Sequence, residues 1–165
     1  MSEAAEIRLA NNDDLPAINE IYNYYVLNST STYQTSPSDA AERMGWYLHH
    51  GPDYPVTVAS IGGRVVAWGS ISKFHVREAY QYTVESSIYV HHEHHRRGLG
   101  RLLMQDMVAR ARQLGYHTML AGISADQAAS LSLHESLGFK KVAHLHEVGK
   151  KFDRWLDVVW MQLML

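Results

Sequence analysis

No cysteine occurs in this chain of 165 residues, so disulfides, thiolate metal centres and cysteine nucleophiles are all excluded. An excess of positive charge is missing too: 15 lysines and arginines against 17 acidic residues leave a formal net charge of -2. A general nucleic-acid binder would carry a basic face, whereas the basic residues here gather around one loop. No apolar run approaches the ~20 residues a membrane crossing needs. The opening segment Met1 to Glu6 is polar and acidic, and a cytoplasmic location is the default expectation. Repeats, low-complexity tracts and linkers are also absent. What remains is one domain, 1–165, long enough to bury roughly two-thirds of its unfolded surface in a single core.

Apolar periodicity divides that domain into alternating elements. Ile7 to Leu9 reads as a first strand, and Asn12-Asp13-Asp14 signals the start of a helix from Leu15 to Val26 with Leu15, Ile18, Ile21, Tyr22 and Tyr25 on one face. The Ser/Thr-rich stretch Asn28 to Ser36 is a loop, and Pro37-Ser38 opens a second helix to about His49. Val56 to Ile61 and Val65 to Ser72 form a hairpin around Gly62-Gly63. Tyr80 to Val90 is the next strand, with Thr83, Glu85, Ser87 and Tyr89 on one face and Val84, Ile88 and Val90 on the other. A helix over Leu99 to Leu114, a strand over Met119 to Ile123, a helix over Ala128 to Leu137 and strands over Lys140 to His146 and Trp155 to Leu165 complete the chain. Hairpins first and strand–helix alternation afterwards predict an α/β architecture: one mixed sheet flanked by helices.

Between the fourth strand and the third helix stands His95-Arg96-Arg97-Gly98-Leu99-Gly100. A glycine-spaced loop that leads into a helix presents unpaired backbone N–H groups and the positive end of the helix dipole to an anion. Gly98 and Gly100 let that anion approach the backbone, and Arg96, Arg97 and Arg101 raise the local potential. The bland alternative is a tight turn that caps a helix. His91-His92-Glu93-His94-His95 offers imidazole and carboxylate ligands, but consecutive ligands on such a loop rarely converge in a tetrahedron, so no metal site is expected.

This strand, loop and helix, together with Ala128 to Phe139, resemble the GNAT acetyltransferase superfamily. The segments Arg77-Glu78-Ala79-Tyr80-Gln81-Tyr82-Thr83-Val84-Glu85-Ser86, His134-Glu135-Ser136-Leu137-Gly138-Phe139 and Trp155-Leu156-Asp157-Val158 look like its phosphinothricin and methionine sulfoximine N-acetyltransferase branch. The resemblance implies acetyl-CoA as co-substrate, held by the loop from His95 to Arg101, by Ile88, Tyr89 and Val90 on the strand, and by Gln127 and Ser130 on the later helix. His95 stands where the family has Arg or Gln, and Gln127 where it has the Asn that meets the pantetheine arm. It further implies an acceptor pocket of Tyr33, His75, Arg77, Tyr80, Thr83, Ser87 and Tyr89, a small amino-acid-like amine as acceptor, and a homodimer. His75 replaces a Lys of the herbicide-acetylating enzymes, which counts against phosphinothricin as the preferred acceptor.

The chemistry follows from the nucleophile. An α-amine in water is largely protonated at neutral pH, so a carboxylate near the acceptor nitrogen, directly or through a water, must take a proton. Glu85 is the candidate base; the alternative is a solvated carboxylate or one paired with Arg77. His134 is the candidate proton or hydrogen-bond donor to the departing thiolate, against the alternative of a surface imidazole. Arg77 offers planar, bidentate recognition of a carboxylate or phosphinate. The four tryptophans, Trp46, Trp68, Trp155 and Trp160, are read as core or dimer-interface residues. Two rival functions stay open at this point: an acetyltransferase for a polyamine, antibiotic or protein amine, which would want an acidic pocket, and a CoA-binding sensor without catalysis.

Overall fold

A computed structural model describes residues 4–165. Its centre is a seven-stranded mixed sheet in the order β1-β2-β3-β4-β5-β7-β6, built from β1 (Glu6–Leu9), β2 (Val56–Ile61), β3 (Arg64–Lys73), β4 (Thr83–Val90), β5 (Thr118–Ser124), β6 (Lys140–Lys151) and β7 (Arg154–Met164). Four helices cover it: α1 (Leu15–Asn28), α2 (Ala40–Leu48), α3 (Leu99–Gln113) and α4 (Ala128–Ser136). No helix among the described residues is long and apolar enough to cross a membrane.

The alternation of β3 and β4 sorts the two faces. Ile71 and Val84 pack with Met104, Met107 and Ala111 of α3 on one side. Trp68 packs with Ile18, Ile21 and Tyr25 of α1 on the other. Glu85, Ser87 and Tyr89 therefore share the α1/α2 face, as the period of two requires.

Every neighbouring pair of strands is antiparallel except β4 and β5, and that exception positions the site. Their parallel ladder runs only from Thr83 opposite Thr118 to Glu85 opposite Leu120. Beyond it β4 continues with β3 alone and β5 with β7 alone. The sheet is thus split, with Ser86 to Val90 on one lip and Ala121 to Ser124 on the other.

Several boundaries differ from the sequence reading. Helix α2 begins at Ala40 rather than Pro37, because Asp39 and Glu42 close a reciprocal capping box: Glu42 N–H donates to Asp39 (2.8 Å) and Asp39 N–H to Glu42 (2.9 Å). Strand β4 begins at Thr83, since Glu78–Tyr80 forms a 3-10 turn. Strand β6 runs on to Lys151 past a bulge between Leu145 and Gly149. The Asp157 carboxylate fills that bulge, accepting from Glu147 N–H (2.8 Å) and lying 2.7 Å from His144 Nε2 and 3.2 Å from His146 Nδ1.

Candidate active site

The loop after β4 is built as an anion cradle. Gly98 has φ +77° and is the N-cap of α3, with no side chain capping that end. A left-handed residue there favours glycine. The first helical bond closes from Leu102 N–H to Gly98 C=O (3.1 Å), so the N–H groups of Leu99, Gly100 and Arg101 precede it and point out of the helix unpaired. Arg96, at φ 60°, and Arg97 are exposed beside them, and Arg101 donates to Ser136 Oγ (2.7 Å). None of the three arginines has a carboxylate partner among the described residues. Such an uncapped, cationic helix end suits a pyrophosphate. Gly100 has a second reason to be glycine: a Cβ there would lie 3.1 Å from Leu133 Cδ2 of α4, so it also allows α3 and α4 to meet.

His95 anchors the cradle to the sheet. Its Nε2 lies 2.6 Å from the Tyr25 hydroxyl, which itself donates to the Val90 carbonyl. Burial pushes the Tyr25 phenol up to about 12, so it stays a neutral hydrogen-bonding post. Ile88, Tyr89 and Val90 lie half-buried on the open lip of β4, where backbone groups that face the split can pair with an extended ligand.

Glu85 sits at the crotch of the split. It is half-buried and burial raises its pKa above the usual carboxylate value. Its carboxylate makes no hydrogen bond or ion pair among the described residues, so pairing with Arg77 is not what holds it. Arg77 is exposed in the β3–β4 connection. His75 and Tyr80, on the same connection, lie tilted against one another (4.8 Å between ring centroids), and Phe74 bridges them to Trp160 of β7. Thr83, Ser87 and Tyr89 follow on the Glu85 face of β4, with Tyr89 packed against Trp68, Tyr22 and Tyr25. Tyr33 comes in from the α1–α2 loop, fixed by Ser124 Oγ (3.0 Å) and by the Asp157 carbonyl, to which it donates (2.9 Å). Lys151 holds that loop, donating to the carbonyls of Ser29 (2.6 Å) and Thr32 (2.8 Å).

Two expected roles meet a different geometry. His134 is only 3% exposed and burial lowers its pKa, while its Nδ1 lies 2.7 Å from the Ser130 carbonyl. Burial thus disfavours the protonated imidazole, and the N–H at Nδ1 is given to Ser130, which leaves Nε2 as the ring atom open to another partner. Gln127 spends its amide on the α1–α2 loop: Nε2 donates to Thr30 Oγ1 (2.8 Å) and Oε1 accepts from Ser31 Oγ (3.1 Å). One methylene more than Asn lets it reach that loop, and each end of the amide keeps one further hydrogen-bonding position.

Sequence reasoning missed Arg43. It lies on the inward face of α2, three and four residues before Trp46 and Tyr47, and a cation on an otherwise apolar stripe was its signal. Arg43 lines a cavity of about 220 Å³ with Trp68, Ser70, Ser72, Ser87 and Tyr89. Ser72 is the cross-strand neighbour of Glu85. A larger cavity of about 520 Å³, between α2 and the far end of α3, is lined by Tyr47, His50, Arg110 and Gln113 among apolar residues, and by no residue of β4. His144, His146 and Asp157 have ligand atoms within 4.8 Å of one another, but the carboxylate there already serves the β6 bulge.

A sheet split after a half-buried carboxylate, with an uncapped cationic helix end at its mouth, fits the class of acyl-CoA-dependent N-acyltransferases. Comparison with known proteins agrees. The Acetyltransferase (GNAT) family profile matches residues 18–139, and the chain belongs to that family. It is 42% identical over 160 residues to the L-methionine sulfoximine/L-methionine sulfone acetyltransferase of Salmonella typhimurium, covering 96% of this chain and 94% of that one. It is 41% identical over 160 residues to an L-amino acid N-acyltransferase of Escherichia coli, covering 96% and 93%. The structure of a GNAT superfamily phosphinothricin acetyltransferase from Sinorhizobium meliloti in complex with acetyl-CoA superimposes with a TM-score of 0.95 at 37% identity, covering 98% of this chain and 88% of that one.

Proposed function

We propose that the chain, acting as one catalytic domain over 1–165, moves an acetyl group from acetyl-CoA to the α-amine of a small amino acid or analogue of the methionine sulfoximine and methionine sulfone type. One observation carries this reading: an unpaired, half-buried carboxylate, Glu85, stands where the sheet opens beside an uncapped helix end. The names of the relatives at 41–42% identity point to the same acceptors.

Acetyl-CoA supplies an activated acetyl as its thioester. The N–H groups of Gly98 to Arg101 and the guanidinium groups of Arg96 and Arg97 bind the pyrophosphate, and the lip of Ile88, Tyr89 and Val90 takes the pantetheine arm. Tyr33, His75, Arg77, Tyr80, Thr83, Ser87 and Tyr89 wall the acceptor site. Glu85, whose proton affinity is raised by burial, takes a proton from the acceptor ammonium directly or through a water, and the freed nitrogen attacks the thioester carbonyl; the C–S bond then breaks as the amide forms, the nitrogen loses its second proton to solvent, and the departing CoA thiolate takes one up from solvent. With no cysteine to acylate, attack is direct. His134, neutral and tied to Ser130, fixes α4 beneath Phe139 rather than donating a proton. The protein works in the cytoplasm, and as a homodimer, the latter reading being supported by the apolar surface of β6 and β7.

The test is a thiol-release assay with acetyl-CoA and a panel of amines. Methionine sulfoximine and methionine sulfone should be acetylated, with phosphinothricin slower. A clear preference for spermidine or for peptide amines would overturn the acceptor class, and no thiol release with any amine would favour a CoA sensor.

A further inference from the structure

We infer that His144, His146 and Asp157 form a binding site for one divalent transition-metal ion of the zinc class, on the face of the sheet turned away from Glu85. The site stands apart from the acetyl-transfer chemistry and does not depend on the acceptor reading above.

Topology brings the three side chains together. His144 lies directly opposite Val159 across the β6–β7 ladder, and Val159 packs into the core with Met104 and Met107 of α3. Asp157, two residues before Val159 on β7, points the same way. Glu85 belongs to the other face, with Ser87 and Tyr89. His146 enters from the β6 bulge, and its ring stacks on that of His144 with 4.4 Å between centroids and 19° between planes.

The ligand atoms converge. His144 Nε2 lies 2.7 Å and His146 Nδ1 3.2 Å from one and the same oxygen, Asp157 Oδ2. The other oxygen, Oδ1, accepts from Glu147 N–H. One half of the carboxylate thus closes the bulge while the other half faces the imidazoles. All three ligand atoms lie within 4.8 Å of one another. Tetrahedral zinc, with bonds of about 2.0–2.2 Å, needs its ligand atoms about 3.4 Å apart. Adjustments of about 1 Å therefore seat the ion, and His146, whose side chain is 77% exposed, is free to make the largest of them. Two imidazoles and one carboxylate suit zinc and its neighbours, whereas calcium and magnesium take oxygen ligands. Water from the open side completes the tetrahedron. Among the described residues, the histidines of the 91–95 loop form no such group.

One neighbour opposes the ion. Lys141 Nζ lies 3.3 Å from His144 Nδ1. A lysine ammonium can only donate, so Nδ1 accepts from it and Nε2 carries the ring proton toward Asp157. Zinc on Nε2 shifts that proton to Nδ1, which ends the lysine contact and leaves a cation beside a cation. On His146 the proton moves the other way, from Nδ1 to Nε2, so neither ring loses one. Lys141 is exposed and can swing out, but its presence weakens the site.

The experiment titrates tag-free, chelator-treated protein with zinc chloride by calorimetry, with thermal melts in the presence and absence of zinc. The proteins are the parent, His144→Gln, His146→Gln, Lys141→Ala and a His91→Gln, His94→Gln double variant. The parent should bind one equivalent and melt higher with excess zinc, since the ion ties the β6 bulge to β7. His144→Gln and His146→Gln should each weaken binding at least roughly tenfold. Lys141→Ala should tighten it severalfold, and the loop variant should match the parent. A parent that takes up no more zinc than His146→Gln overturns the assignment. So does zinc binding that vanishes in the loop variant, or a Lys141→Ala protein that binds more weakly. Should His144→Gln not fold, the exposed His146 carries the same test alone.

Discussion

For Glu85, half-buried on β4, desolvation works on its own proton. Holding the carboxyl above its usual value makes it a better base, and the acid limb of the rate profile should lie above the ordinary carboxylate range. Glu85→Gln should abolish that limb and lower turnover roughly 10²- to 10⁴-fold at neutral pH, with acetyl-CoA binding retained. Stability should move the other way. A carboxyl whose pKa is raised by folding contributes stability that is complete below its unfolded value and is lost as pH rises through the folded value. Glu85→Gln keeps a neutral group at all pH, so it should melt higher than the parent near neutrality, and the gap should close in acid. Paired thermal melts across that range, with kcat against pH, check both signs. Unchanged turnover at pH 7 would remove Glu85 as the base.

At the level of elements, the cradle was legible because its chemistry is local: two glycines, three arginines and a strand-to-helix transition lie within seven residues. The face carrying Glu85 was equally legible from a period of two. Strand β6 was not, since its continuation past His146 depends on Asp157, a residue of the next strand, filling the bulge. Nor was the cavity that Arg43 lines, because it exists only once α1, α2 and two strands have packed together. Gly100 combines a local and a tertiary demand. Gly100→Ala meets only the mobile end of Leu133 and should fold with a cost under about 1 kcal/mol. Gly100→Val adds branches that both press on α4 and crowd the N–H groups at the start of α3. It should lower stability by about 1–3 kcal/mol and weaken acetyl-CoA binding at least tenfold. Calorimetric titration on the folded fraction separates the two effects. A folded Val variant that binds acetyl-CoA as tightly as the parent would place the cradle elsewhere.

For the whole molecule, the sheet order leaves β6 as an edge strand twelve residues long, and long edges are hazards unless covered or charged. Val142, Leu145, Val148, Phe152 and Trp155 are all exposed along β6, its turn and the start of β7, with Trp155 at 61%. The other end of the sheet is closed differently, by the four-residue β1 and the bidentate pairing of Arg8 with Asp14 (2.7 and 2.8 Å). The asymmetry argues that β6 and β7 are covered by a second copy of the chain, in a symmetric contact that buries both edges at once. A stable interface needs about 1,000 Å² or more of total buried surface, and in such a contact five large apolar side chains from each protomer would supply its centre. Light scattering at micromolar concentration should give twice the mass of the 18.8 kDa chain. A Val148→Lys, Trp155→Asp double variant should halve that mass and lower the melting temperature. Tyr33 is pinned to the Asp157 carbonyl on β7 and Lys151 of β6 to the loop that carries Tyr33. Undocking β6 and β7 should therefore loosen the acceptor wall too, raising KM for the amine while leaving acetyl-CoA affinity near the parent's. A parent that scatters as a monomer, or a double variant that stays dimeric, would show that this face is not the interface.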